Sequence, residues 1–324
     1  MKKHVKNLPV SRRKGWVGNR KRDRQMDRGN GSDIYRKFTD LILAKMEEGI
    51  IPWRKPWNEM GMPTNYLTRR PYKGINLWVL LSMDHKYPYY LTFNQVNSLG
   101  GKVRKGAKSC PICFWNFSYS DRETGKRISE KELVFYPKEQ IQKSGFLKEY
   151  RVFPIEQIEG IDWDFLKPDA VSREVSIDPC EKILENMLHK PTLRNHGNEA
   201  YYRVDLDEIT MPEKHLFAKI ERYYGVLFHE LIHSTGHESR LNRKGVREPH
   251  LFGSKEYRKE ELIAEMGAGF LNNQTGILSE DLLDNSVAYI QNWMAEFRKH
   301  KQLLIHAAHK AQKAVEYILM DSPF

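Results

Sequence analysis

The residues best equipped for chemistry lie in His229-Glu230-Leu231-Ile232-His233. Positions four apart on a helix leave the same face, so the imidazoles of His229 and His233 can converge on one tetrahedral zinc ion. Glu230 points off that row and is placed to take a proton from a water at the metal. The flanking Leu227, Phe228, Leu231 and Ile232 make the helix mostly apolar, so it is expected to be buried. Buried His, Glu and His side chains need partners, and a metal supplies them.

A further ligand has to come from another element. A helix expected over residues 255–271 carries Glu260-Glu261-Leu262-Ile263-Ala264-Glu265. Glu261 is the expected third ligand, with Glu260 and Glu265 as alternatives. Glu265, one turn further on, is expected to hydrogen-bond a ligand histidine and hold its ring. Ala264, Gly267, Ala268 and Gly269 are small enough to let this helix approach the first. His237 does not fit a third-histidine pattern, which needs the residue ten after His229, where Ser239 stands. His250 and Tyr257 are possible transition-state donors that spacing alone does not fix.

A second kind of chemistry is suggested by Ile51-Pro52-Trp53-Arg54-Lys55-Pro56-Trp57. The prolines forbid a regular element, and aromatic faces beside cations suit single-stranded nucleic acid, where bases stack and cations follow the backbone. The competing expectation is that both indoles close the core beneath the loop. Tyr72-Lys73 and the basic turn Lys102-Val103-Arg104-Lys105 are further candidate DNA contacts. Cys110 and Cys113 read as small buried residues of a strand: only Cys180 remains to complete a zinc site, and a redox pair would sit at a helix start.

The elements that position these residues follow from the patterning. The 324 residues suffice for two cores. The net charge of +11 is concentrated in residues 1–31, where eleven Lys or Arg against two Asp give +9. That leader is expected to be disordered, either as a phosphate-binding arm or without a fixed partner. The longest apolar run, residues 77–81, cannot span a bilayer, so no membrane partner is expected. With no secretory h-region and three cysteines, a cytoplasmic setting is expected. A helix from Ser32 or Asp33 to Glu48 precedes strands at 112–117, 133–136 and 149–153, an α+β pattern. Residues 32–155 form the first expected domain, 156–178 a linker and 179–324 a mainly helical second domain with a short sheet. A hairpin over 201–211 should lie beside the metal helix, where a peptide could add as another strand. Helices over 286–297 and 303–320 complete the chain.

Taken together these residues resemble a known family. The N-terminal half resembles the ArdC-type single-stranded-DNA-binding domain of antirestriction proteins and plasmid primases. The resemblance rests on residues 49–57, Pro63-Thr64-Asn65, Tyr72-Lys73-Gly74-Ile75-Asn76, Leu91-Thr92-Phe93-Asn94-Gln95 and Gly101-Lys102-Val103-Arg104-Lys105-Gly106. The C-terminal half resembles the accompanying zincin-like metallopeptidase domain in Tyr201-Tyr202, Asp207-Glu208-Ile209, Met211-Pro212, the metal helix through Gly236-His237, and residues 260–265. The resemblance implies a two-domain protein of plasmids or phages that binds single-stranded DNA entering a cell and helps it escape restriction. It also implies Zn2+ as cofactor, Glu261 as the third ligand, Glu265 as the acid behind a ligand histidine, and an unknown protein substrate. The alternative is a non-catalytic single-stranded-DNA-binding protein whose zinc is structural or vestigial. A nuclease is disfavoured, because the two-histidine spacing suits peptide hydrolysis and there is no second metal cluster in the sequence pattern. The basic leader and the Cys110/Cys113 pair depart from the family pattern.

Overall fold

A computed structural model describes residues 30–55, 57, 61–163, 177–248, 251, 254–277 and 287–319. Apart from the first residues of helix α1, the basic leader lies outside the described residues, as do His250 and the middle of the expected linker.

Helix α1 (Asn30–Glu47) buries Ile34, Phe38, Ile42 and Met46, one residue per turn of a single face. Gly49, in the left-handed region at φ 81°, turns the chain into a single 3-10 turn, Pro52–Arg54. Strand β1 (Thr64–Asn65) and helix α2 (Ile75–Ser82) follow, and all eight residues of α2 are buried. Strand β2 (Tyr89–Thr92) runs into α3 (Phe93–Ser98), which starts with a capping box between Thr92 and Gln95. Then come β3 (Lys102–Val103), β4 (Cys110–Asp121), β5 (Arg127–Ile128), β6 (Ile141–Pro154) and β7 (Ile158–Glu159).

The main sheet has the order β1-β2-β6-β4-β5. Its spine is the β4–β6 pair, antiparallel from Cys110↔Val152 to Asp121↔Ile141. The strand expected at 133–136 is instead a 3-10 turn, Leu133–Phe135. Its β-prone residues find no partner, because β4 and β6 already pair with one another, and Val134 and Phe135 are about four-fifths exposed. The expected linker starts late: β7 pairs with β3 and so belongs to the first domain.

The second domain holds α4 (Asp178–Asn186), β8 (Thr192–Asn195), β9 (Tyr201–Arg203), β10 (Glu208–Met211) and α5 (Ile220–Ser234). Helices α6 (Lys244–Arg247), α7 (Lys255–Thr275), α8 (Val287–Lys299) and α9 (Leu303–Leu319) complete it. Its sheet has the order β8-β10-β9, with β10 parallel to β8 and antiparallel to β9. The expected hairpin over 201–211 is β9–β10. Strand β8, polar and mostly exposed, carries no alternation that would reveal it.

The fold is thus two-domain α+β, but the two domains share one core. A single apolar cluster runs from α1, the Pro52–Arg54 turn and α2 into α5, α7, α8 and α9. Trp53 sits in it at 1% exposure and packs edge-on against Phe297. Gly269 of α7 makes the approach possible: a Cβ there would lie 2.0 Å from the Trp53 carbonyl oxygen. Asn273, one turn on, accepts from the Trp57 backbone N–H at 2.6 Å and donates to the Lys55 carbonyl at 3.3 Å. Of the two expectations for the aromatic-basic stretch, DNA contact or closing the core, the packing is that of the second: it forms a clamp between the domains. Bulky indoles next to prolines have more apolar area to bury than a loop surface can hold, and the core takes it.

Candidate metal centre

Helix α5 presents His229 and His233 toward α7, which presents Glu261. The helices can come this close because Gly267 faces Ile232, where a Cβ would lie 2.5 Å from Ile232 Cδ1. His229 Nε2 and His233 Nε2 are 3.1 Å apart. Glu261 places one oxygen 3.5 Å from His229 Nε2 and the other 3.4 Å from His233 Nε2. The three ligand atoms fall within 4.8 Å of one another, the only such grouping of three His, Cys, Asp or Glu among the described residues. Two imidazoles and a carboxylate at this separation suit a divalent cation of the first transition row or zinc. Burial works against a charged Glu261, but the two histidines outweigh it and hold its carboxyl well below the usual range.

The groups behind the ligands are ordered too. Glu260, 5% exposed, lies 3.7 Å from His233 Nδ1. Arg243 grips Glu260 through Nε at 3.0 Å and Nη2 at 2.5 Å. The same guanidinium donates to Thr235 Oγ1 at 2.6 Å and to the Ile232 carbonyl at 2.8 Å, so it also closes the C-terminal end of α5. Burial opposes the charge on Glu260, yet His233 and Arg243 keep its pKa depressed. Burial likewise opposes the imidazolium of His233, but Glu260, Glu261 and Glu230 raise its pKa above the ordinary value.

Above the ligands is a cleft of about 360 Å³ lined by Glu230, Tyr257, Tyr201 and Val246. Glu230 is 8% exposed and faces this space rather than the ligand row. Edge strand β9 forms one wall. It is fixed by Arg240, which donates to Asp207 in the β9–β10 turn, to Tyr202 Oη at 3.2 Å and to the Ser234 carbonyl at 2.8 Å.

Glu265 does not stand behind a histidine. Its carboxylate accepts from Trp53 Nε1 at 3.4 Å and lies 3.6 Å from Arg54. Glu265 lies about 6 Å further along the helix axis than Glu261 and so reaches the domain clamp, while Glu260 reaches His233. Adjacent acids at 260 and 261 were visible in the sequence, but the buried Arg243 that selects between their roles was not.

The candidate DNA contacts divide similarly. Trp53, Arg54, Lys55 and Trp57 lie at the clamp, where Lys55 pairs with Asp84 at 2.5 Å. Tyr72 is buried, and Lys73 pairs with Glu316 of α9 at 2.9 Å. Lys102, Arg104 and Lys105 are exposed on β3 and the turn after it. Among the described residues, Phe114, Trp115 and Phe117 of β4 form a cluster of exposed aromatics, each between 44% and 48% exposed. Lys143 stands 3.8 Å above the Phe117 ring, and Trp115 and Phe117 flank Gly145. Phe114 and Trp115 line a groove of about 800 Å³ whose other walls include Arg70, Tyr72, His309 and Lys313. The missed signal was three aromatics within four strand positions: alternation sends Phe114 to one face and Trp115 and Phe117 to the other, so one buried face cannot take them all.

Residues 32–153 match the N-terminal domain of the anti-restriction factor ArdC, and residues 180–310 match a zincin-like metallopeptidase domain. The antirestriction protein ArdC of plasmid R388, in its metal-free crystal structure, is 32% identical over 88% of this chain and 96% of its own, with a TM-score of 0.67. The chain belongs to the ArdC family. A second R388 ArdC structure, with Mn(II) bound, gives 30% identity over 90% and 99% of the two chains and a TM-score of 0.68. Two Escherichia coli DNA primases called TraC are 30% and 32% identical to this ArdC-family chain, which spans 27% and 19% of their lengths. Among the described residues no helix is long and apolar enough to cross a membrane.

Proposed function

We propose that this protein is a zinc-dependent peptidase coupled to a single-stranded-DNA-binding surface, protecting incoming mobile-element DNA from restriction in the cytoplasm. The observation that carries the reading is the convergence of His229, His233 and Glu261 at the floor of an open cleft, with Glu230 beside them. Three protein ligands leave a position for water or substrate, which a closed structural site would lack. R388 ArdC, which is named an antirestriction protein, binds Mn(II) in one structure and supports a divalent ion here.

Bound zinc would supply Lewis-acid polarisation of a peptide carbonyl and of water. The remaining work falls to side chains. Glu230 takes the proton of the attacking water and delivers it to the leaving amine. Tyr257 lines the cleft and is kept protonated, since burial and the Glu261 and Glu230 carboxylates push its pKa up to about 12, so in the transition state it serves as a donor to the developing oxyanion. Glu260 and Arg243 hold His233 with Nε2 toward the metal. The free edge of β9 receives the substrate as an added strand. On the first domain, bases stack on Phe114, Trp115 and Phe117 while Arg70 and Lys143, joined by Lys313 of α9, follow the phosphates.

The deciding experiment compares wild type with Glu230→Gln for protection of incoming DNA against a restriction enzyme in cells. Protection is expected to be lost while metal content and DNA affinity are retained. Full protection by a metal-loaded variant would remove hydrolysis from the function and leave DNA binding as the agent.

A further inference from the structure

Outside the metal centre, one cluster of reactive side chains remains unaccounted for. Cys110, at the start of β4, has its Sγ 3.3 Å from Nε2 of His85, in the loop after α2. The other ring nitrogen, Nδ1, lies 2.9 Å from Glu156 Oε1, in the turn after β6. Three segments far apart in sequence thus place a thiol, an imidazole and a carboxylate in line. This is the order of nucleophile, base and orienting acid that activates a sulfur. The second Glu156 oxygen is buried without a hydrogen-bond partner, so the carboxylate has charge to spare for the imidazolium.

We propose that Cys110 is a reactive cysteine, activated by His85 and Glu156, that small peroxides oxidise. With its proton passed to His85, the Cys110 sulfur attacks one oxygen of hydrogen peroxide and the O–O bond breaks. Sulfur loses two electrons and becomes a sulfenic acid, and the peroxide is reduced. The departing hydroxide takes the proton of the His85 imidazolium and leaves as water.

The surroundings agree. Burial disfavours a charged His85, but its bonds to Cys110 and Glu156 prevail and push its pKa up to about 9. The other ionisable groups facing the cluster are Tyr90, packed 5.8 Å from the His85 ring, with Tyr72 and Asp84. Cys110 is 3% exposed, which excludes macromolecular reagents. The other two thiols lack such partners. Burial pushes Cys113 up to about 12 and Cys180 up to about 11, which keeps them protonated. Cys113 cannot resolve the sulfenic acid as a disulfide, because three positions along a strand put it on the opposite face.

The test treats the full chain with hydrogen peroxide, traps sulfenic acid with dimedone and maps the adducts by peptide mass. Cys110 is expected to label at least about tenfold faster than Cys113 or Cys180, because it alone of the three has the imidazole and carboxylate beside it. His85→Gln is expected to slow that labelling by about tenfold. Glu156→Gln, which leaves the imidazole in place, should slow it by a smaller factor and serves if His85→Gln does not fold. Equal labelling of the three cysteines overturns the proposal, and so does rapid Cys110 labelling that neither substitution changes.

Discussion

At the scale of residues, the metal centre depends on which acid stands behind which histidine. Glu260→Gln is expected to weaken zinc or manganese binding by about 10–100-fold, measured by titration calorimetry, because His233 loses the carboxylate that orients it. Glu265→Gln should leave the affinity unchanged and lower only stability; an equal loss of affinity would restore Glu265 to the ligand shell. A pH dependence follows from the raised pKa of His233. In the metal-free protein this group adds stability that is complete below its unfolded value of roughly 6.5 and fades as pH rises through the raised folded value. Metal must displace that proton, so affinity weakens as pH falls, with about one proton released per ion bound near neutrality. Calorimetry in buffers of different ionisation enthalpy reads that proton directly. The ligand row was legible in the sequence because His229, Glu230 and His233 express a helical period within one turn. The role of Glu260 was not, because it depends on Arg243, a tertiary partner.

At the scale of elements, the same distinction explains the aromatics. Helices α1, α5 and α7 could be read from their own apolar stripes. Whether an indole faces DNA or core depends on what another element offers it. Trp53 is met by Gly269, and Trp57 by Asn273 and Phe270, whereas Phe114, Trp115 and Phe117 meet solvent. Trp115→Ala is expected to reduce affinity for a single-stranded oligonucleotide by an amount worth about 1–3 kcal/mol, followed by fluorescence anisotropy. Trp53→Ala should lower folding stability by about 3–5 kcal/mol in urea while the folded protein still binds the oligonucleotide. The reverse pattern would return DNA to the Trp53 loop. Gly269→Ala should also destabilise, because the backbone carbonyl of Trp53 has no side-chain freedom with which to yield.

For the whole molecule, a boundary drawn from composition is not a boundary of packing. The acidic, proline-punctuated stretch after β6 separates two family segments, yet the apolar cluster passes between them through α1, α2 and the Trp53 turn. The intact protein is therefore expected to show one calorimetric transition, with calorimetric and van't Hoff enthalpies in agreement. Two resolved peaks would mean that the clamp contributes little.

A shared core also bears on how such a unit is inherited. Recombination that kept only one half would strip Trp53 from Phe297 and leave raw apolar surface on both products. A transfer that carries both halves together keeps that core intact. The same span, taken across both segments, is matched within the far longer TraC primases, as expected of cargo that is exchanged whole.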